Sequence, residues 1–406
     1  MRALFLAATL CAAFLAARAH AASNYTATFF GPNQQQVTNG YKTLDQLIEG
    51  LKDTTTRISP SFDLSLRGLP AFLGTDGPTF LALDIPSLGI QQSFSGQTAD
   101  ETFEQLKRFL TQGSQAGRIA RESARTSPFD PVAGNPTSLM ARAVFFDFFN
   151  AFYPFASNIT EESAQIAQLG GVPTGAVRGP FRPLPGTGGY YGHFRDQGLA
   201  TQSLTVPLSL TLRSDLDPRR QFSLTLPLTV SDVEGARAYY GTLNASLRLP
   251  LARTWALTGA LGYSVVSATD LGTAGQVGSA ALTSAFVVRT AFGDLSIGNM
   301  VGHYRTLSGT ISGISTDSKI QNTVFRNGVL WSERAPAWLG GQRIEYTLVN
   351  THYVGTELYL KNYSEVGVMI GSNKRADSVR SYMQGGLTYL FSSKTKGVQA
   401  NFGYWF

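Results

Sequence analysis

Cysteine is almost absent: one stands among 406 residues, Cys11, inside an N-terminal apolar run. Disulfides, cysteine metal sites and cysteine nucleophiles are therefore excluded from the rest of the chain. Charge is scarce as well. Asp, Glu, Lys and Arg make up 15% of the residues, against about a quarter in ordinary soluble domains. The basic residues nowhere gather into a long run, so nothing supports nucleic-acid binding. Beyond the first residues no apolar run approaches the ~20 residues that a membrane helix needs.

What is present begins at the N-terminus. Met1 and Arg2 lead into an apolar stretch from Ala3 to Ala17, which ends in Ala19-His20-Ala21. A positive start, a short apolar run and a small-x-small site predict a secretory signal over 1–21, cleaved after Ala21. Cys11 lacks the Leu three places upstream that a lipidation signal carries, so it reads as apolar filler. Arg2 and Arg18 account for two of the formal +6, so the mature chain carries +4.

Three regions follow. Residues 22–169 are mixed. Thr43 can cap a short amphipathic helix over 43–52, and Asp100 can cap a second with Phe103, Leu106, Phe109 and Leu110 on one face. Phe62–Leu69 and Thr79–Pro86 read as strands. A third helix over about 137–152 carries Phe145, Phe146, Phe148, Phe149 and Phe152. Such a cluster suits either the core of a small α+β domain, the expectation we adopt, or a pore plug or membrane-surface anchor. Residues 170–188 crowd Gly and Pro and predict a linker with neither helix nor central strand.

From 189 to 406 the texture is alternation. Leu204, Val206, Leu208, Leu210 and Leu212 alternate with small or polar residues; so do Leu243 to Leu251, and Trp255 to Val265. Eleven such segments from Thr201 onward, joined by Gly189–Arg195 as a further strand, predict about 12 strands, an even number as bacterial barrels use. The segments are longer than the ~5–6 residues of soluble strands. Tyr239, Tyr240, Trp255, Tyr304, Trp331, Tyr353 and Tyr382 gather near segment ends, where interfacial girdles form. The fold class expected is mainly β: a C-terminal antiparallel transmembrane β-barrel behind a small α+β N-terminal domain.

The last strand closes on Val398, Ala400, Phe402, Tyr404 and Phe406. This stripe resembles the terminal β-signal of bacterial outer-membrane proteins. The resemblance implies recognition by the barrel assembly machinery and periplasmic chaperones, a periplasmic C-terminus, and residence in outer-membrane lipid of a Gram-negative cell. Signal, N-terminal region, linker and terminal barrel together resemble the architecture of an autotransporter. That resemblance implies a barrel that anchors or displays its own N-terminal domain; the alternative is a passive pore or transporter with a periplasmic N-terminal domain. A barrel enzyme is the weakest reading. Outside the signal there are three histidines, and two places beyond His193, His303 and His352 stand Arg195, Arg305 and Val354 rather than serine. No G-x-S-x-G elbow occurs, and no two histidines hold metal-ligand spacing. No enzyme activity, cofactor, metal or nucleic-acid partner is expected. Arg289, Arg305, Arg326, Glu345, Glu357, Lys361 and Glu365 are the candidate lumen charges, which need partners or water.

Overall fold

The computed structural model describes residues 23–30, 35–57, 61–168, 181–214, 217, 219–339, 342–356, 358–372 and 382–405. The expected signal over 1–21, the portion 170–180 of the expected linker, Glu357 and Phe406 lie outside them.

The chain first builds a six-stranded antiparallel sheet: β1 (Tyr25–Phe30), β2 (Gln36–Tyr41), β3 (Phe62–Leu66), β4 (Leu69–Thr75), β5 (Phe80–Ile85) and β6 (Ile90–Ser95), in the order β2-β1-β3-β4-β5-β6. Alternation puts Phe62, Leu64, Leu66, Ala71, Leu73, Leu81 and Leu83 on the buried face. Helices α1 (Leu44–Arg57), α2 (Ala99–Thr111) and α3 (Gly113–Thr126) supply Leu47, Leu51, Phe103, Leu106 and Ile119 to the same core. Thr43 caps α1 as expected, its Oγ1 accepting from Gln46 N at 3.2 Å. The cap of α2 is Thr98 rather than Asp100. Thr98 accepts from Glu101 N, and Glu101 accepts in return from Gln97 N at 2.8 Å, a reciprocal capping arrangement.

Twelve antiparallel strands then close a barrel: β7 (Phe181–Asp196), β8 (Leu199–Ser214), β9 (Gln221–Val233), β10 (Ala236–Ala252), β11 (Trp255–Ala268), β12 (Thr273–Thr290), β13 (Gly293–Thr306), β16 (Gln321–Leu339), β17 (Gln342–Val354), β18 (Asn362–Ser372), β19 (Tyr382–Phe391) and β20 (Thr395–Trp405). Two short strands, β14 (Thr310–Ile311) and β15 (Ile314–Ser315), form a hairpin in the loop between β13 and β16. β20 pairs with β7, so the barrel has no free edge.

The Gly/Pro-rich stretch corrects the linker expectation. β7 starts at Phe181, not Gly189, and takes in Pro183 and Pro185. Proline is tolerated there because residues 181–185 pair with β8 alone; the ladder to β20 begins at Gly186.

The outer wall is apolar. Leu204, Leu208, Leu226, Leu228, Leu243, Leu247, Leu261, Leu282, Phe325, Leu348, Ile370 and Leu387 all point outward and are exposed. A band of this kind around a closed barrel is what hydrocarbon requires, since it leaves no backbone group unpaired. The chain is therefore an outer-membrane type of β-barrel. Tyr239 and Trp255 stand on this outer face, and Trp331 lies on it half-buried, its Nε1 donating to Phe292 O at 2.9 Å. Tyr240, Tyr304 and Tyr353 depart from the girdle expectation: each is buried on the inner face. The side chain of Tyr382 lies outside the described residues.

Truncating Leu73→Ala at the centre of the N-terminal sheet removes a fully buried side chain and costs about 2–5 kcal/mol. Limited proteolysis of the refolded full chain should then cut within residues 23–126 first, while the barrel keeps its heat-modifiable mobility on gels.

Candidate functional site: the filled lumen

The barrel is occupied by its own helix. α4 (Leu139–Gln168) has 30 residues, so it is about 45 Å long, enough to run the length of the lumen. It packs against β10, β11, β12, β13 and β16. The phenylalanine cluster expected in a separate domain core is thus inside the barrel, and the plug alternative describes it. The reason lies in the facing wall. Ala256 and Ala260 on β11, Ala281 and Ala285 on β12, Gly298 on β13 and Gly328 on β16 leave a furrow where larger side chains would stand. A Cβ at Gly298 would lie 2.6 Å from Phe152, and one at Gly328 would lie 2.8 Å from Phe148. Across the lumen, Phe145, Phe146 and Phe149 gather edge-on around Tyr190 of β7, with ring centroids 5.7, 5.7 and 5.8 Å away.

Among the described side chains, three polar groups of the helix meet the wall. Asp147 accepts from Tyr304 OH at 2.7 Å and from Asn244 Nδ2. Asn150 Nδ2 donates to Thr225 Oγ1 at 3.2 Å, and the Arg142 guanidinium stacks 4.8 Å over the Tyr240 ring. Below the phenylalanines, Arg326 of β16 is ion-paired to Glu365 of β18, with Thr351 of the intervening β17 bonded to both. The Arg326 guanidinium also lies 5.5 and 5.3 Å from the ring centres of Phe145 and Phe148. This charge set braces the wall and clamps the helix rather than lining an open channel.

Of the candidate lumen charges, the structure brings Arg326 and Glu365 together and places Glu345, also buried, on the same inner face of the adjoining strand. Arg289 keeps inner-face parity but stands exposed at the end of β12. Arg305 is corrected: it points outward, because Tyr304 and Thr306 take the inner positions of β13. Lys361 is also corrected. It lies exposed in the loop between β17 and β18, its carbonyl accepting from Gly355 N. In the terminal stripe, Val398 and Phe402 are exposed on the outer face and Ala400 shares it half-buried. The side chain of Tyr404 lies outside the described residues. Sequence reasoning passed over Asp147. Its signal was available: one charge inside the apolar run Ala143–Phe152 demands a buried partner.

Among the described residues the N-terminal unit meets the barrel at one rim. Asn24 Nδ2 donates to Val233 O at 3.0 Å, Tyr25 OH to Leu271 O at 2.8 Å and Arg121 Nε to Ser318 O at 2.7 Å. Tyr359 N and Leu360 N donate to Ala124 O and Gly134 O. The connection from α3 to α4 is buried at this mouth. Asp130 Oδ1 there accepts from Val132 N and Ala133 N, and Asp130 lies 3.5 Å from Arg67. Burial raises the Asp130 carboxyl above its ordinary range, opposed by the nearby Arg67. On the outer surface of the unit, hydrogen bonds from Lys107 to Asp45 and from Lys52 to Glu49 and Asp100 raise both ammonium groups. Among the described residues no cluster of His, Cys, Asp and Glu could hold a metal. The opposite rim carries the start of β7, the end of β20 and tight hairpins after Ala252 and Thr290.

No family model and no curated protein matches this sequence. Solved structures do. The translocator domain of the autotransporter NalP from Neisseria meningitidis is 14% identical, covering 62% of this chain and 98% of that one, with a TM-score of 0.41. The β domain of the Bordetella autotransporter BrkA is 13% identical over 55% of this chain and 98% of that one, at 0.42. An outer-membrane channel from Pseudomonas putida is 13% identical over 58% and 98%, at 0.38. Translocators and channels stand side by side in this set, which assigns the chain to neither role.

Glu365→Ala leaves Arg326 buried without its counter-charge and should cost about 3–5 kcal/mol. Arg326→Met with Glu365→Leu should recover most of that loss. Urea unfolding in detergent micelles, followed by tryptophan fluorescence, compares the two.

Proposed function

We propose that this protein is a surface-display barrel: a bilayer anchor that holds its own N-terminal unit at the outer mouth and closes the pore with the helix connecting them. The observation that carries the reading is the path of α4. It starts at the rim where the unit is docked, its Met140 N donating to Val132 O at 3.1 Å. Asp147 meets Tyr304 two residues from that end of β13, and Phe152 meets Gly298 farther along the same strand. The chain then re-emerges as β7 on the far rim, beside the end of β20. With a periplasmic C-terminus, as the β-signal implies, the unit faces outward. Recognition by the barrel assembly machinery and passage through the periplasm under chaperone cover belong to the same reading.

A passive pore is disfavoured by the lumen itself. Phe148, Phe152, Tyr304 and Arg326 are at most 1% exposed in the space a channel would occupy. No catalytic role is assigned; the buried acid Asp147 is used in holding the helix.

Orientation is tested by single cysteines in a Cys11→Ser background, labelled on intact cells with a membrane-impermeant maleimide. Asp76→Cys, at the exposed tip between β4 and β5, should label. Phe292→Cys, 81% exposed on the opposite rim, should be protected until the outer membrane is opened. The reverse pattern would refute display. Plugging is tested in planar bilayers. The intact protein should conduct little, and Phe148→Ala with Phe152→Ala should raise conductance severalfold; an intact protein that conducts as freely as the variant contradicts the plug.

A further inference from the structure

We infer that the outer face of β13 and β16 is a docking surface for a second copy of this chain. The apolar band is broken there by an amide pair: Asn299 and Asn327, directly opposite each other, both exposed, with Asn299 Nδ2 donating to Asn327 Oδ1 at 2.7 Å. The pair is not at a rim. The outward neighbours on one side are Val301 and Phe325, and on the other Ile297 and Val329. Within these two strands the polar groups therefore sit between two apolar pairs on the lipid-facing wall. Hydrocarbon offers them nothing, and an amide left unpaired in such surroundings is costly.

The chemistry selects the occupant. After their mutual bond, besides the second N–H of Asn299 and the second lone pair of Asn327 Oδ1, the pair keeps a whole acceptor atom, Asn299 Oδ1, and a whole amino group, Asn327 Nδ2. Among the described residues neither has another hydrogen-bond partner. A two-fold axis through the pair sets each copy's donor against the other copy's acceptor, so both are satisfied at once. An isologous contact of this sort is how most homodimers close. Shape agrees with it. On the β16 side Phe325 projects, 54% exposed. On the β12 side lies an open groove of about 630 Å³, floored by Gly259 and Ala280 and walled by Leu261, Leu282 and Val301. A projection and a furrow on opposite sides of one axis can fill each other in both halves of a dimer. The row continues as His352 and Ser364, outward and bonded Nδ1 to Oγ at 2.9 Å, which extends the polar seam towards the rim where the N-terminal unit sits.

The test uses the full chain in nanodiscs of phosphatidylethanolamine and phosphatidylglycerol, with oligomeric state read by native mass and dilution series. The wild-type protein should be a dimer, and Asn299→Leu with Asn327→Leu should weaken dimerisation at least tenfold. Heat-modifiable mobility should show the variant barrel still folded, with its melting temperature unchanged or raised. Should the double variant fail to fold, Asn327→Leu alone carries the comparison. A monomeric wild type, with or without bound lipid, would overturn the inference, and so would a dimer indifferent to both substitutions.

Discussion

Everything in this molecule depends on matching one helix to one wall. A closed barrel satisfies its backbone wherever strands pair, but it does not by itself decide what fills its interior. Here the filling is α4, and the match is steric before it is polar. Gly298 and Gly328 sit where Phe148 and Phe152 press closest, so those rings occupy space that any side chain would deny them. Each fully buried phenylalanine contributes roughly 1.5–3 kcal/mol by leaving water. The hydrogen bonds of Asp147 and Asn150 then fix the rotation of the helix, because any other rotation buries a carboxylate or an amide against alanine.

The same matching explains how the N-terminal unit is held. Its core does not stop at the barrel mouth: Leu44, Leu271, Val132 and Phe152 belong to one continuous apolar cluster. Where the two parts meet, backbone groups of the loops pair directly, as Tyr359 N does with Ala124 O. Gly117 shows how close the approach is, since a Cβ there would lie 2.0 Å from the Asp317 carbonyl oxygen. A unit docked in this way moves with the barrel.

Strand parity was readable in the sequence because the bilayer writes it. One face must be oily, so Leu204 to Leu212 and Leu243 to Leu251 declared both their strands and their outward sides. Parity also held the answer for Arg305, which shares the phase of Val301 and so faces outward; treating it as a lumen charge ignored that phase. The start of β7 was hidden for a different reason. Pro183 and Pro185 contradict a central strand, and only the stagger of the barrel, which leaves that segment without its second neighbour, makes them acceptable. The placement of α4 was not readable at all. A phenylalanine-rich helix has the same pattern in a domain core as in a pore, and the difference resides in Ala256, Ala281, Gly298 and Gly328, more than a hundred residues away.

The filled lumen also constrains how display could be reached. A helix with its side chains is about 10–12 Å across, and this barrel closes on one such helix. The six-stranded sheet with α1, α2 and α3 is far wider, so it cannot cross the lumen folded. Under the display reading, residues 23–126 reach their rim as an extended chain, or the barrel closes around α4 while they are still outside it. Either route makes the contacts of Asn24, Tyr25 and Arg121 with the loops among the last to form, because they need both parts complete. The low density of charge in the middle of the first half of α4 suits that order. Between Val144 and Tyr153 it carries a single charge, Asp147, and the partners that receive it, Asn244 and Tyr304, lie on strands separated by β11 and β12. Those two partners are brought within reach of one carboxylate only when the wall has curved around it, which ties the seating of the helix to the closing of the barrel.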